Sequence, residues 1–269
     1  MKVFITRKIP NRGIEMLSTK GYTVAMNPED RPFDKTELTA FLKADRYDAV
    51  LCLLTDRIDA EVLDVAKAAG VKIFANYAVG VDNIDVKAAE ERGIMVTNTP
   101  DVLTQTVAEH TFAMMLAIAH RIPESDRFSR AGKFKGWAPE LLLGTDISGK
   151  TLGVIGLGRI GQRVAHHAVK GFDMRALYYD VKRNEAFEKE SGAAYRQNIE
   201  DVLKEADFVS IHVPLLPATH HLINAERFQL MKPTAYLINT GDAFIALLPI
   251  KTLGNLHGKL LPLPLLLAG

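Results

Sequence analysis

The sequence predicts an α/β protein of two domains, each built on a doubly wound parallel sheet. Its 269 residues exceed what one small core needs and suit two domains of ordinary size. Short apolar runs, such as AVLCLL at 49–54, are typical of strands buried on both faces of a parallel sheet. Glycines directly follow helix-like segments at Gly21, Gly70 and Gly93. Strands that alternate with such helices indicate βα units.

The first hundred residues supply the first sheet, and we place the linker at 98–100. Residues 1–98 therefore form the first predicted domain. Its predicted strands are 3–6, 49–54, 72–76 and 94–97, and its predicted helices are 12–20, 59–69 and 85–92.

The second predicted domain covers residues 99–242. A helix at 106–120 is apolar nearly all round, so we expect it to be buried between domains or in a dimer interface. Residues 121–149 are polar, predicted to be irregular, and contain the only tryptophan, Trp137. The following strands are predicted at 151–156, 174–180, 207–213 and 234–239, and the helices at 159–170, 199–205 and 225–230.

Composition excludes several classes of function. The chain has 33 basic and 32 acidic residues, so no overall field attracts nucleic acid or an anionic membrane. Cys52 is the only cysteine, which excludes an internal disulfide and a cysteine-based zinc site, and the scattered histidines form no metal-binding pattern. No signal peptide precedes the first strand. We expect a cytoplasmic protein with no metal, nucleic-acid or membrane partner.

The composition changes abruptly after Thr240. Residues 243–269 contain ten leucines, three prolines and no acidic residue. The prolines would interrupt a helix or a strand, and the final apolar run is too short to span a membrane. We therefore expect 243–269 to be an aberrant tail that does not continue the second domain.

One motif carries specific chemistry. Gly156, Gly158 and Gly161 form a G-x-G-x-x-G that follows a predicted strand and opens a predicted helix. Gly156 permits the tight turn, Gly158 lets the backbone approach a pyrophosphate, and Gly161 permits close contact of helix and strand. This context predicts a dinucleotide-binding site.

The cofactor's ribose has a predicted partner in Asp180, which ends the next strand 19 residues after Gly161. Its carboxylate would accept hydrogen bonds from the ribose hydroxyls and repel the 2′-phosphate of NADP. Lys182 and Arg183 follow at once and could tolerate that phosphate. The sequence favours NAD and leaves NADP possible.

Five blocks in order resemble the D-isomer-specific 2-hydroxyacid dehydrogenase family, over residues 1 to about 240. VLCLLTDRID followed by TPDVLT is most similar to its glyoxylate/hydroxypyruvate reductase branch. The blocks are NYAVGVDNID (76–85), TPDVLTQTVAEH (99–110), GKTLGVIGLGRIGQRVA (149–165), ADFVSIHVPLLPAT (206–219) and LMKPTAYLINT (230–240).

The resemblance implies a flavodoxin-like substrate domain, a Rossmann NAD-binding domain, a small 2-oxo or 2-hydroxy acid as substrate, and a homodimer. It implies that the backbone amides of Val79 and Gly80 bind the substrate carboxylate. For Pro214 and Thr219, shaping a loop is the alternative to contacting the cofactor. The implied cofactor-binding residues are Thr106, Gly156, Gly158, Arg159, Ile160, Gly161, Asp180, Val213, Pro214, Thr219, Asn239 and Thr240.

The family's reaction also needs an arginine that polarises the 2-oxo acid, a histidine that moves the proton, and a glutamate that supports the histidine. The arginine belongs to an NTSRG motif, where this chain has NTGDA, so Asp242 stands in its place. The glutamate and histidine belong to segments downstream of this chain, as do the return segment of the first domain and the last strands of the second. We assign no catalytic residue.

Three functions are compatible with these observations. The first is a reductase of a small 2-oxo acid such as glyoxylate or hydroxypyruvate. The second is a catalytically inactive, truncated or frame-altered NAD-binding fragment. The third is a binding protein that responds to NADH. Cofactor binding is common to all three, whereas turnover separates the first from the others.

Overall fold

A computed structural model of the chain describes residues 1–246. These residues divide into two compact units, and the boundary lies between Val102 and Leu103. The sequence predicts the boundary four residues earlier, between 98 and 99. Each unit is built around one five-stranded parallel sheet. The predicted fold class, two parallel-sheet α/β domains, is confirmed.

Unit 1 has the strand order β2-β1-β3-β4-β5, and all neighbouring strands are parallel. The order reverses direction between β1 and β3, the kind of position at which open α/β sheets bind ligands. The strands are β1 (Lys2–Ile5), β2 (Thr23–Met26), β3 (Ala49–Cys52), β4 (Ile73–Asn76) and β5 (Met95–Thr97); the helices are α1 (Asn11–Thr19), α2 (Lys35–Ala44), α3 (Ala60–Ala68) and α4 (Val86–Glu91).

The core of unit 1 is apolar and partly aromatic. Phe4 and Phe74 are fully buried in the sheet, and Phe4 stacks on Phe41 of α2 with 4.4 Å between ring centroids. Helix α2 begins with a capping box, because the Asp34 carboxylate accepts from the Glu37 N–H while the Glu37 carboxylate accepts from the Asp34 N–H. This helix covers a sheet face that would otherwise be open.

Unit 2 has the strand order β10-β9-β6-β7-β8, again parallel throughout, with the reversal between β6 and β9. The strands are β6 (Thr151–Ile155), β7 (Arg175–Tyr179), β8 (Ala194–Tyr195), β9 (Phe208–Ile211) and β10 (Tyr236–Asn239). The helices are α5 (Thr104–Ala119), α6 (Ile122–Arg130), α7 (Arg159–Phe172), α8 (Glu185–Ser191), α9 (Ile199–Glu205) and α10 (Ala225–Leu230), and Ala243–Ile245 form a 3₁₀ turn.

Helix α5 forms at Thr104–Ala119, close to the predicted 106–120, and within the chain it is buried on one face. Its predicted burial between domains or in a dimer interface stays a prediction. The ring of Phe112 in α5 stacks on the ring of Phe172 in α7, with 4.9 Å between ring centroids. The opposite side of the helix is exposed. Its buried residues, which share one face at helical spacing, are Ala108, Thr111, Phe112, Met115 and Ala119.

The segment 121–149 is not irregular throughout, because it contains α6. Arg121 has a left-handed φ of 54°, which separates α5 from α6. Pro123 lies in the first turn of α6, where a missing N–H group costs no helical hydrogen bond. The sequence prediction of irregular structure here overlooked this start signal.

The last described residues are attached to unit 2. Ile245 is fully buried. The N–H of His221 donates to the carbonyl of Phe244 at 2.7 Å, and the N–H of Ile223 donates to that of Ile245 at 3.0 Å. The segment that the sequence assigns to a separate tail, 243–269, thus begins with residues packed into the unit. Residues 247–269 of that prediction lie outside the described residues.

Candidate functional site

Strand β6 ends in the glycine loop, residues 156–161. Gly156 has a φ of +92°, and a Cβ there would lie 2.7 Å from the carbonyl oxygen of His212. The N–H of Gly156 also donates to the carbonyl of Tyr179 at 2.9 Å, which holds the loop against β7. Position 156 therefore requires glycine both for its backbone angle and for its neighbours.

The other two glycines of the loop differ in what they accommodate. A Cβ on Gly161 would lie 2.1 Å from the carbonyl oxygen of Gly156, so the start of α7 packs directly on the turn. A Cβ on Gly158 would meet no protein atom within 4 Å. The fold itself does not need glycine at 158, whereas close approach of a pyrophosphate to the backbone does. The loop therefore fits a dinucleotide.

Two further loop residues, Arg159 and Ile160, form the first turn of α7. Ile160 is half-buried and packs against the core beneath the helix, while Arg159 is exposed. Because the N–H groups of a first helical turn have no partner inside the helix, this end of α7 offers donors and a positive dipole to an anionic group.

Asp180 follows β7 and is fastened to the glycine loop. Its Oδ2 accepts from the N–H of Leu157 at 2.6 Å, and its Oδ1 accepts from the N–H of Lys182 at 3.1 Å. The spacing in the sequence predicted that Asp180 and the loop belong to one site, and the structure brings them into direct contact. The ribose-binding role of Asp180 stays a prediction, and the contact with the loop is consistent with it.

The residues after β9 lie on the other side of the glycine loop. A Cβ on Gly156 would come within 2.8 Å of Val213 Cγ1, so Val213 borders the turn. The hydroxyl of Thr219 donates to the carbonyl of Pro214 at 2.5 Å and accepts from the N–H of Leu216 at 2.7 Å. These bonds favour the loop-shaping alternative for Thr219 and Pro214.

His212, which directly follows β9, is a buried histidine at the carboxyl edge of the sheet. Its Nε2 lies 2.8 Å from the hydroxyl oxygen of Ser210. Burial lowers the pKa of the imidazole to about 4, because a buried cation is disfavoured. His212 is therefore neutral at physiological pH, and its carbonyl oxygen is one of the atoms that leave no room for a side chain at position 156.

The turn after β10 contains the position of the family arginine. The Oδ1 of Asn239 accepts from the N–H of Gly241 at 3.0 Å, and its Nδ2 donates to the carbonyl of Asp242 at 2.9 Å. The carboxylate of Asp242 accepts from the N–H of Phe244 at 2.8 Å. The side chain of Asn239 is thus engaged in the turn itself, and Asp242 is exposed beside it.

Thr240 and Thr106 are the remaining predicted cofactor residues. The hydroxyl oxygens of Thr240 and Thr111 lie 3.4 Å apart, which joins the end of β10 to α5. Thr106 is exposed in the first turn of α5. The structure therefore gathers the glycine loop, Asp180 and the segments after β9 and β10 at the carboxyl edge of one sheet, at its reversal point.

In unit 1, the predicted substrate-binding residues lie in the amide loop, residues 77–80, which follows β4. Nδ2 of Asn98 donates to the carbonyl of Val79, and Nδ2 of Asn76 donates to that of Gly80, both at 2.8 Å. Within residues 1–246, the N–H groups of Val79 and Gly80 donate to no protein acceptor. The Val79 carbonyl shares a peptide unit with the Gly80 N–H, and the Ala78 carbonyl, which accepts from the N–H of Thr99 at 2.8 Å, shares one with the Val79 N–H. Both N–H groups are therefore fixed in direction and can bind an anion.

Asparagines that support this loop were not identified from the sequence. Nδ2 of Asn83 donates to the carbonyls of Leu53 at 3.0 Å and Asp56 at 3.1 Å, and its Oδ1 accepts from Asn76 at 3.0 Å. Asn76 is buried. The sequence offered one indication of each residue. Asn76 is a polar side chain at the end of a buried strand, and Asn83 is a second amide shortly after the loop.

Other kinds of site find no support in the described part of the chain. Residues 1–246 contain no group of three His, Cys, Asp or Glu side chains placed to hold a metal ion. Over the same residues, no helix combines the length and apolar character needed to cross a membrane. The buried thiol of Cys52 has its pKa raised to about 12 by desolvation, so it stays protonated.

Comparison with known proteins bears on this geometry. The NAD-binding domain profile of the D-isomer-specific 2-hydroxyacid dehydrogenases matches residues 112–246. The chain belongs to this dehydrogenase family. Its similarity to a glyoxylate reductase of Pyrococcus furiosus is 49% identity over 242 residues, which cover 88% of this chain and 70% of the relative. A glyoxylate reductase of Thermococcus kodakarensis is also 49% identical, over 88% of this chain and 71% of the relative.

Solved structures agree with the membership of the dehydrogenase family. The TT0316 protein of Thermus thermophilus is 40% identical with a TM-score of 0.84, over 95% of this chain and 78% of that protein. The D-lactate dehydrogenase of Aquifex aeolicus, solved with NAD and lactic acid, is 31% identical with a TM-score of 0.79. The match covers 96% of this chain and 74% of that enzyme. Unit 2 is the NAD-binding domain of this dehydrogenase fold.

Proposed function

We propose that the protein is an NAD-dependent oxidoreductase that reduces a small 2-oxo acid such as glyoxylate or hydroxypyruvate. The observation that carries the proposal is the glycine loop, where open space above Gly158 and contact with Asp180 fit a dinucleotide. The relatives named as glyoxylate reductases support the substrate class. When bound, the nicotinamide supplies the hydride chemistry, and the protein supplies position and charge.

On the substrate side, the amide loop has the chemistry to bind a carboxylate. Asn98 holds the carbonyl of Val79, and the N–H of Thr99 holds the carbonyl of Ala78 at 2.8 Å. Because each carbonyl shares a peptide unit with the N–H of the next residue, the N–H groups of Gly80 and Val79 are oriented before substrate arrives. Such preorganised amides stabilise a negative charge without rearranging. We propose that they bind the carboxylate that every 2-oxo acid carries.

A second function, NADH binding without turnover, is favoured by Asp242. Where the family uses an arginine to bind and polarise the 2-oxo acid, this chain presents a carboxylate that also caps the Phe244 turn. Two carboxylates repel one another, and losing one charge-stabilising group costs about 10²–10³ in rate. An NADH-binding protein that acts through a partner would have the same site.

Turnover of NADH distinguishes the two functions. NADH binding is measured first by calorimetry, and NADH oxidation is then followed with glyoxylate and with hydroxypyruvate. We compare the natural chain with Asp242→Arg, and with Asp242→Asn as a control that removes the charge only. Turnover by the natural chain supports the reductase.

Turnover that appears only in Asp242→Arg shows that Asp242 is what disables the natural chain. Cofactor binding with no turnover in any of the three proteins supports the second function. A chain that binds no NADH would contradict both functions.

We also propose that the chain forms a homodimer through the segment after α5. Four apolar side chains of this segment, Ile122, Phe134, Trp137 and Leu143, are exposed, Trp137 by 84%. Exposed apolar groups this close in sequence are typical of an interaction surface. Light scattering tests the proposal: a monomer at micromolar concentration would contradict it, and Trp137→Ser should weaken a dimer.

A further inference from the structure

A second ionic arrangement lies just beyond the ribose-binding aspartate. Arg183 stands three residues after Asp180, and its guanidinium forms a two-pronged pair with Glu188 of α8, with Nε–Oε1 at 2.8 Å and Nη2–Oε2 at 2.9 Å. The guanidinium also lies 5.7 Å from the ring centroid of Tyr195 in β8. Two-pronged pairs and stacking on a ring both fix the plane of a guanidinium.

Glu188 is itself held in place. Oε1 accepts from the hydroxyl of Tyr178, at 2.9 Å, and that ring is fully buried in β7. The Tyr178 hydroxyl in turn accepts from the N–H of Asn184 at 2.8 Å. Only 17% of the Glu188 side chain is exposed, against 52% for Arg183. Glu188 is therefore held in position by Tyr178, and a substitution of Glu188 would free the guanidinium of Arg183 from its ion pair.

The charge of Glu188 persists over the physiological range. Pairing with Arg183 lowers the pKa of its carboxyl to about 2, despite partial desolvation. Arg183 keeps its positive charge, and the nearest other acidic group, Glu185, reaches its Nη1 only at 3.8 Å. The guanidinium charge of Arg183 is thus compensated mainly by Glu188.

We infer that Glu188 is a positioning residue for cofactor choice, because it engages Arg183 and so denies the 2′-phosphate of NADPH a guanidinium partner. An arginine near the ribose-binding acid is the usual means of accepting that phosphate. With Arg183 engaged by Glu188, the phosphate meets the repelling carboxylate of Asp180 without a guanidinium to offset it, which favours NADH. This inference rests on the proposed NAD(H) binding. Lys182 is not substituted in any variant below, so it cannot account for differences in cofactor affinity among them.

The test is direct titration of NADH and NADPH at one ionic strength, which needs no turnover. Glu188→Gln keeps an oxygen that can accept from Tyr178 but removes the charge that engages Arg183. We expect the ratio of the NADPH and NADH dissociation constants to fall by about tenfold. Glu185→Gln, the matched control, makes the same charge change on the same helix and should shift the ratio much less.

Two more proteins separate the inference from a general charge effect. In Arg183→Gln/Glu188→Gln the gain in NADPH affinity should disappear. Arg183→Gln alone should leave the NADPH affinity of the natural chain within about twofold, because Arg183 is already engaged. This single variant keeps the inference testable if Glu188→Gln fails to fold.

Three results would overturn the inference while leaving NAD binding intact: an unchanged ratio in Glu188→Gln, an equal shift in Glu185→Gln, or a severalfold loss of NADPH affinity in Arg183→Gln. A natural chain that binds neither cofactor would instead overturn the proposed function.

Discussion

The backbone N–H of Leu157 donates a 2.6 Å hydrogen bond to the carboxylate of Asp180. This bond fastens the side chain predicted to bind the ribose to the turn predicted to bind the pyrophosphate. The two halves of the cofactor site are thus one structural unit, and a change at Asp180 affects both the shape of the glycine loop and the recognition of the ribose.

Asp180→Ala should therefore weaken NADH binding by at least about tenfold. It should also lower the free energy of unfolding by about 1–2 kcal/mol, because the N–H groups of Leu157 and Lys182 lose their acceptor. Calorimetric titration and urea unfolding measure the two effects. Asp180→Asn retains one oxygen and should lose less stability. Full NADH affinity in Asp180→Ala would rule out the ribose role.

The two glycines that differ in surroundings should respond differently to the same change. Gly158→Ala adds a methyl group into open space, so we expect normal thermal unfolding and a loss of NADH affinity of at least about tenfold. Gly161→Ala forces a carbon to within 2.1 Å of a carbonyl oxygen and should destabilise the fold by about 1–3 kcal/mol or more. If Gly158→Ala binds NADH normally, the pyrophosphate does not approach at this position.

His212 should make stability depend on pH. Burial lowers its pKa in the folded protein to about 4, against the ordinary value of 6.5. Below pH 6.5 the unfolded chain takes up a proton that the folded chain refuses, so stability is complete above pH 6.5 and falls as the pH approaches 4.

The loss attributable to His212 should reach roughly 3 kcal/mol. Urea unfolding across this pH range measures it, and His212→Asn, which does not titrate, should show a flatter profile. Parallel profiles for the two proteins would show that His212 is not the source.

The amide loop offers a comparison between one buried and one exposed asparagine. Asn76 and Asn98 each donate to a loop carbonyl at 2.8 Å, but Asn76 is buried and Asn98 is exposed. Asn76→Ala should lower the free energy of unfolding by about 1–3 kcal/mol, because the Gly80 carbonyl and Asn83 lose a buried donor. Asn98→Ala should cost less, since water can replace the amide. Equal costs in thermal unfolding would contradict the role of burial.

The features that the sequence predicted well depend on local pattern. AVLC in β3 and TLGVI in β6 are continuous apolar runs, and the glycine loop has a recognisable spacing of three glycines between a strand and a helix. Strands β2 and β8 and helices α2 and α8 were missed. Strand β2 has no buried residue, and α8 is a short, strongly charged helix whose start depends on Asn184.

The supporting contacts of the site could not be predicted, because they join residues far apart in sequence. Asn83 binds the carbonyl of Leu53, 30 residues away, and Leu157 binds Asp180, 23 residues away. The motif spacing indicates that Asp180 and the glycine loop share a site, but no local pattern specifies which atoms bond. The homodimer and the cytoplasmic location remain predictions, as do the roles of the individual cofactor residues.

The buried Ile245 has a consequence for how a shortened gene product would behave in a cell. Its carbonyl binds Ile223, and its side chain fills the core beside β9 and α9. A stop codon directly after Thr240 would leave that core open to water, although every residue of the glycine loop and Asp180 would still be present. Such a chain would keep the chemistry for NADH but be degraded quickly. Protein turnover, rather than the cofactor site, would then set the shortest length that persists.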